Sequence, residues 1–230
     1  MSSFLLSHHY ILSSVDHSFF LKHVNNKIIV ILVYVDDLVL TRNNIEEINN
    51  IITLLDQHFK IKNLGDLTYF IGLDVARNSS GLHLSQHKYV LDLLHETGML
   101  DFAPMPTPMT HSSRLISFED FPLTETKSST YCTLISRLIY LTNTRPDIAF
   151  CVNNLSQFLS SPTKVHQQVA FRILRYLKGN PGSGIFFNRN RSMQLRGHSE
   201  FDRATYPETI KSVTGVSIFL GESLISWKKK

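Results

Sequence analysis

The sequence predicts a mixed α/β (α+β) chain, and three features of its hydrophobic pattern predict it. β-Branched and aromatic residues crowd two neighbouring runs, 27–35 and 38–41, that meet at Asp36 and Asp37, the mark of a hairpin of buried strands. Apolar residues then recur at helical spacing in several later stretches. The chain closes on four strand-like runs separated by turn residues, "SGIFF", "MQLRGHS", "TGVSIFLG" and "SLISW".

Each element follows in order. Asn44, with Glu47 three residues on, forms a capping box, and Ile45, Ile48, Ile52, Leu55 and Phe59 share a helical stripe that should pack on the hairpin. The segment "LTYFIGLDVARNSSGLHLSQ" reads as a strand, a turn at 78–81 and a second strand; "HKYVLDLLHETG" reads as a helix ending at Gly98. Gly72, inside the first of these strands, marks a close backbone approach or a bulge. "DFAPMPTPMT" and the polar residues to Ser129 read as an extended linker or surface loop, where a boundary is placed. Three helices follow: 131–142, 147–159 entered through Pro146, and "KVHQQVAFRILRYLKG". In the last, Val165, Val169, Ile173 and Leu177 form one stripe, Arg172, Arg175 and Lys178 fall elsewhere, and Gly179 ends it.

Composition narrows the classes. With 230 residues, 43% of them hydrophobic and 18% charged, the chain has the balance of a globular protein with a real core. A net charge of +4 and a pI near 9.0 lean toward nucleic acid or other acidic partners without the excess of a polybasic chain. The two cysteines, Cys132 and Cys151, are too few for a disulfide scaffold. The eleven histidines are scattered, and the pair His8–His9 has no ligand partner at zinc spacing. No apolar run is long enough to cross a membrane and the N-terminal stretch lacks a basic region. The expectation is an intracellular protein, cytoplasmic or nuclear, with no membrane partner.

Two adjacent carboxylates in an apolar run need a reason. If buried, they would be neutralised or would hold a cation. Phosphoryl and nucleotidyl transfer uses pairs of magnesium ions held by carboxylates on neighbouring strands. An exposed hairpin turn, where aspartate is common, is the alternative. Side chains alternate along a strand, so only one of the two is expected to lead in binding an ion.

The stretch Tyr34-Val35-Asp36-Asp37 resembles the Y-x-D-D signature of reverse transcriptases, and with "LVLT" after it, the Ty1/copia retrotransposon type. The resemblance continues through "LLSHHYILSSVDHSFFLK", "LTYFIGLDVARNSSGLHLSQHKYVLDLL", "PMPTPM", "LIYLTNTRPDIAF", "LRYLKG" and "SVTGVSIFLGESLISW". It implies a stretch of a copia-type Pol polyprotein: the C-terminal part of the reverse transcriptase palm over 1–109, a helical thumb or connection region over 110–182, and a truncated N-terminal part of a ribonuclease H-like sheet over 183–230.

In such a protein Asp36 and Asp37 are the catalytic and metal-binding pair, supported by Tyr34 and Val35, with Mg2+ (or Mn2+) as cofactor. An RNA or DNA template-primer is the partner, and deoxynucleotides bind only if fingers are supplied. Arg172, Arg175 and Lys178 either track a nucleic-acid backbone or form a solvated helix face. Arg145 either contacts phosphate or pairs with Asp147.

The sequence also departs from the family. The third palm aspartate has no counterpart, since Asp16 belongs to a "DHS" segment without a catalytic role. The ribonuclease H pattern "GYSDADWAG" stands here as "GHSEFDRAT": Glu200 replaces the first catalytic aspartate, Asp202 remains, and Arg203 replaces tryptophan. The extra methylene of Glu200 displaces its oxygens beyond what a two-metal site tolerates. The expectation is a polymerase fragment inactive by itself and without ribonuclease H activity. The alternative is a non-catalytic remnant that binds nucleic acid or protein. A half-palm is also expected to leave a sheet edge uncovered and to self-associate.

Overall fold

The computed structural model describes residues 1–24, 27–42, 45–110, 121–189, 193–202 and 213–229. These form two compact units, Met1–Leu67 and Thr68–Lys230, a division that falls upstream of the boundary expected in the proline-rich segment.

In the first unit a short helix α1 (Ser2–Ser7) precedes an antiparallel sheet of β1 (Ile11–Leu12), β2 (Phe19–Val24), β3 (Lys27–Tyr34) and β4 (Asp37–Arg42), in that order. The helix α2 (Ile45–Phe59) follows. Alternation along β3 decides what is buried: Ile29 and Ile31 are 4% and 0% exposed, whereas Ile28 is 44% exposed. Across the ladder Phe20 pairs with Ile31, and Ile31 with Leu40. These residues join Leu5, Tyr10, Ile51 and Leu55 in one core.

The helix meets this core through Ile48, Ile51 and Leu55 rather than through Ile52 and Phe59. The buried stripe is thus rotated from the expected one, with Ile51 buried in place of Ile52 and Leu54 packed beside Leu55; both stripes fit 3.6 residues per turn, and the sheet the helix packs on decides between them. Asn44 and the side chain of Glu47 lie outside the described residues.

In the second unit, β5 (Tyr69–Phe70), β6 (Leu73–Arg77), β7 (Gly81–Ser85) and β8 (Gly184–Asn188) form an antiparallel sheet in sequence order. The strand β8, expected to open the ribonuclease H-like region, is therefore hydrogen-bonded to β7. Their backbones run so close that a side chain at Gly184 would place Cβ 1.9 Å from the Leu84 carbonyl oxygen. The helices α3 (His87–Glu96), α4 (Glu125–Leu141), α5 (Pro146–Ser156) and α6 (Lys164–Gly179) share the larger core, centred on Leu93, Ile135, Leu138, Ile148, Ile173 and Leu177.

On α6, Val169, Ile173 and Leu177 are buried as expected, but Val165 is 37% exposed and His166 takes the inward place beside it. His166 stacks on Phe158 with ring centroids 4.1 Å apart, and its Nδ1 accepts the Thr163 N–H at 3.0 Å. A third sheet, ordered β11 (Ser223–Lys229), β10 (Val213–Leu220), β9 (Leu195–Asp202), completes the unit. The Trp227 indole anchors β11 by donating to the Thr142 carbonyl at 3.0 Å.

Two hairpin tips carry backbone outliers. Val35 has φ 48°, and Ile71 and Gly72 have φ 48° and 78°. Gly72 therefore belongs to a two-residue turn between β5 and β6, not to a strand interior as expected; its left-handed conformation is the reason glycine sits there. The expected close approach is real: the Tyr140 hydroxyl donates to the Ile71 carbonyl at 2.5 Å, and a Cβ on Gly72 would lie 2.6 Å from that hydroxyl.

Opposite effects are expected at the two tips. Val35 is 84% exposed and loses no packing when replaced, so Val35→Asn, which tolerates the left-handed region, should stabilise the protein by about 1 kcal/mol. Gly72→Ala should destabilise it by about 1–2 kcal/mol. Urea unfolding of the two variants checks the signs.

Candidate active site

The acidic tip is built by register. Tyr34 pairs with Asp37, which leaves Val35 and Asp36 as the two turn residues and makes Asp37 the first residue of β4. The turn therefore sits one residue earlier than at Asp36 and Asp37. Since Val33 and Leu38 join the core, alternation puts Tyr34 and Asp37 on the opposite face of the sheet, while Asp36 occupies the tip. All four residues from Tyr34 to Asp37 are exposed. The carboxylates are not buried within the apolar run, contrary to one sequence reading, because the strands end before them; the hairpin places them in water, where ionised groups need no neutralising partner.

Whether this pair suits magnesium is a question of donor number. Mg2+ favours octahedral oxygen coordination and keeps several waters, with one or two carboxylates as protein ligands, and two such ions need further carboxylate support. Asp36 and Asp37 supply hard oxygen donors of the right chemistry. Among the described residues, however, no group of three or more His, Cys, Asp or Glu is placed to hold a metal ion. The pair alone does not amount to a two-ion site.

The basic residues singled out on α6 have other work. Arg172 donates from Nε to the Thr107 carbonyl at 3.1 Å and from Nη2 to the Thr107 hydroxyl at 2.9 Å. Arg175 donates to the Ala103 carbonyl at 2.7 Å, and Lys178 to the carbonyls of Leu100 and Phe102. Met105 N–H returns a bond to the Arg175 carbonyl at 3.1 Å. The proline-rich stretch is thus strapped along α6. Prolines 104, 106 and 108 provide no N–H of their own, so the helix's cations satisfy the strap's carbonyls. The expected surface loop is, over residues 100–110, a fixed part of the unit.

Arg145 is 2% exposed and forms the anticipated pair with Asp147, its Nη2 2.7 Å from the carboxylate. It also donates to the Asn180 carbonyl at 3.0 Å and lies 5.6 Å from the centre of the Tyr176 ring, whose hydroxyl donates to Asp147 at 2.8 Å. This ties the start of α5 to the end of α6. Partial burial would raise the Asp147 pKa, but the Arg145 guanidinium and the Tyr176 hydroxyl together bring it below the ordinary aspartate value. Tyr176, Asn180 and the strap were not foreseen; only the spacing of Arg145 and Asp147 signalled part of the cluster.

Glu200 lies in β9 opposite Gly215 and faces a cavity of about 740 Å³ that Pro146, Phe150, His198 and Trp227 also line. Asp202 ends the same strand; its side chain and Arg203 lie outside the described residues. Glu200 belongs to no metal-holding cluster among the described residues.

Comparison with known proteins places the chain. Residues 1–111 match the family model of reverse transcriptase (RNA-dependent DNA polymerase). The Retrovirus-related Pol polyprotein from transposon RE1 of Arabidopsis thaliana is 38% identical over 230 residues, covering 100% of this chain and 16% of its own length. This chain belongs to the copia-type retrotransposon Pol family. The Pol polyprotein from tobacco transposon TNT 1-94 (Nicotiana tabacum) is 32% identical over 237 residues, 99% of this chain and 18% of the relative. An uncharacterized mitochondrial protein of Arabidopsis thaliana is 36% identical over 201 residues, covering 87% of this chain and 82% of that protein.

The chain thus spans less than a fifth of the Pol polyproteins it matches. No solved structure matches it. Among the described residues, no helix of this Pol-family chain is long and apolar enough to cross a membrane.

The Arg145 cluster gives a pH test. A carboxylate with a depressed folded pKa adds stability that is complete above its unfolded value, about 3.9, and is lost as pH falls through the lower folded value. Asp147→Asn should cost about 2 kcal/mol at pH 7, because it leaves the buried Arg145 charge without its counter-ion. The variant should also lose stability less steeply than the parent between about pH 5 and pH 2. Thermal melts across that range check both.

Proposed function

We propose that this chain is the part of a copia-type reverse transcriptase palm that presents the YVDD hairpin, with Asp36 and Asp37 contributing two of the carboxylates for divalent-metal-dependent nucleotidyl transfer. The observation that carries the reading is the hairpin tip. A buried, register-locked ladder ends in a two-residue turn that holds two adjacent carboxylates and Tyr34 clear of the core.

The role of each group follows from its place. Asp36, on the turn itself, projects from the tip and is the leading metal ligand in this reading. Asp37, on the outer face at the first β4 position, is held by the ladder and supports the site. Tyr34 shares the outer face with Asp37 and pairs with it across the ladder. Val35 holds the left-handed turn that brings the two carboxylates together. Asp36 and Asp37 would supply part of the oxygen shell of a magnesium or manganese ion, whose chemistry in nucleotidyl transfer would be activation of the attacking 3′ oxygen and stabilisation of the leaving pyrophosphate. RNA or DNA template-primer is the substrate class, with deoxynucleotides bound by segments outside this chain's described residues.

The segments 1–109, 110–182 and 183–230 correspond in this reading to palm, thumb or connection, and the beginning of a ribonuclease H-like sheet. Glu200 and Asp202 are then the degenerate remainder of the ribonuclease H centre. The strapping of Arg172, Arg175 and Lys178 to backbone carbonyls favours the polymerase-fragment reading over that of a free-standing nucleic-acid-binding domain, which would need those cations for phosphate.

Primer extension on an RNA template tests the proposal. The 230-residue chain alone should extend nothing with Mg2+ or Mn2+. Joined to the preceding Pol segment of a relative such as that from transposon RE1, it should extend the primer, and Asp36→Asn or Asp37→Asn should lower the rate by about 10³-fold or more. Extension that survives both substitutions would remove the hairpin from the chemistry.

A further inference from the structure

Arg172 meets the proline-rich strap at an exposed hydroxyl. Its Nη2 donates to the Thr107 hydroxyl and its Nε to the Thr107 carbonyl, which leaves the Nη1 hydrogens for a further acceptor. Among the described residues Arg172 forms no ion pair. The helix α6 carries Lys164, Arg172, Arg175 and Lys178 and no aspartate or glutamate, and residues 102–110 of the strap carry no acidic side chain either. A guanidinium without a carboxylate partner thus lies against an exposed hydroxyl, on a helix whose charged residues are all basic.

The backbone on either side of that hydroxyl is set by proline. Thr107 stands between Pro106 and Pro108. Proline fixes its own φ and pushes the residue before it toward extended backbone, so Thr107 is exposed within an extended segment. We propose that Thr107 is a phosphorylation site for a proline-directed serine/threonine kinase, and that Arg172 receives the phosphate.

The fold separates this threonine from the sequence's other Ser/Thr-Pro pair, Ser161-Pro162. Pro162 is buried, its carbonyl accepts the Leu123 N–H at 3.0 Å, and Pro122 bridges to Thr163 beside it. A kinase that must take up the proline after the accepting residue cannot do so there without opening the core. Pro108 is only partly buried. The two Arg172 bonds to Thr107 lie at the surface, so they open while the core stays closed.

In the reaction the Thr107 hydroxyl oxygen bonds to the γ-phosphorus of ATP as the bond from that phosphorus to the β,γ-bridging oxygen breaks. ADP leaves with the bonding pair, and the hydroxyl proton passes to the kinase's base. A neutral hydroxyl becomes a group of charge about −1.5 to −2 at pH 7. Guanidinium and phosphate form paired, charge-assisted hydrogen bonds, and no acidic side chain of α6 or of residues 102–110 opposes them. The modification therefore tightens the strap on α6.

The test treats the whole chain with a cyclin-dependent kinase and magnesium ATP. Peptide mass mapping should place a single phosphate on Thr107. Thr107→Ser should keep it, Thr107→Val should lose it, and Ser161→Ala should leave it unchanged. In the phosphorylated chain the Met105 N–H, which donates to the Arg175 carbonyl, should exchange with solvent about tenfold more slowly. Arg172→Gln should accept the phosphate and lose that slowing. In a phosphorus NMR titration the second phosphate proton should leave below its ordinary value of about 6, and at that value in Arg172→Gln. Unchanged amide protection in α4 reports that each variant is folded.

A folded chain that takes up no phosphate, or takes it up at Ser161, overturns the site. Exchange at Met105 that is unchanged or faster after phosphorylation, or slowed equally in Arg172→Gln, overturns Arg172 as the receiving group.

Discussion

The alternation of β3 governs the acidic site. Ile29 and Ile31 cannot leave the core that α2 and Phe20 close over them, and a slip of one residue would turn every apolar side chain of the strand to the wrong face. With register fixed in this way, the position of the turn is no longer free. Tyr34 must face Asp37, the tip must be Val35 and Asp36, and the two carboxylates must emerge where the apolar ladder stops. A β-branched residue at φ 48° is tolerated at the tip because the ladder on both sides over-determines the turn. The first unit, 67 residues in length, lies near the size at which a single core is marginal, so this ladder supplies much of the order the site has.

The second unit solves a different problem. Its helices bury a large apolar core, but the segment between α3 and α4 is rich in proline and short of donors. The cations of α6 compensate by donating to the carbonyls of residues 100, 102, 103 and 107. Charged side chains with long apolar stems suit this role, since the stem covers the helix flank while the head reaches the backbone. Arg145 does the same at the other end of the bundle, with Asp147 and Tyr176 compensating its burial. Basic residues that resemble a nucleic-acid face in the sequence are, in the fold, the fasteners of an all-helical core.

Belonging to the Pol family and building a polymerase site are therefore separable properties of this chain. Family membership follows from a match along its whole length, whereas a metal site follows from how many donors converge. The whole-length match meets the first condition, whereas two carboxylates on one hairpin leave the second to residues beyond the tip.

Much of the architecture could be read from the residues in order, because hydrophobic period and turn chemistry are local. The acidic hairpin, the helix entered through Pro146, the stop at Gly98 and the closing strands all follow from such local patterns. The rotated stripe of α2, the turn at Ile71 and Gly72, and the union of β8 with β7 do not. Each depends on which distant surface the element meets: Tyr140 on Ile71, Leu84 on Gly184. By itself the sequence determined the family, the order of most elements after Lys27 and the adjacency of Asp36 and Asp37. Only the tertiary structure decided that those carboxylates stand in water and that Arg172, Arg175 and Lys178 bind backbone, because exposure and hydrogen-bond partners are set by residues far apart in the chain.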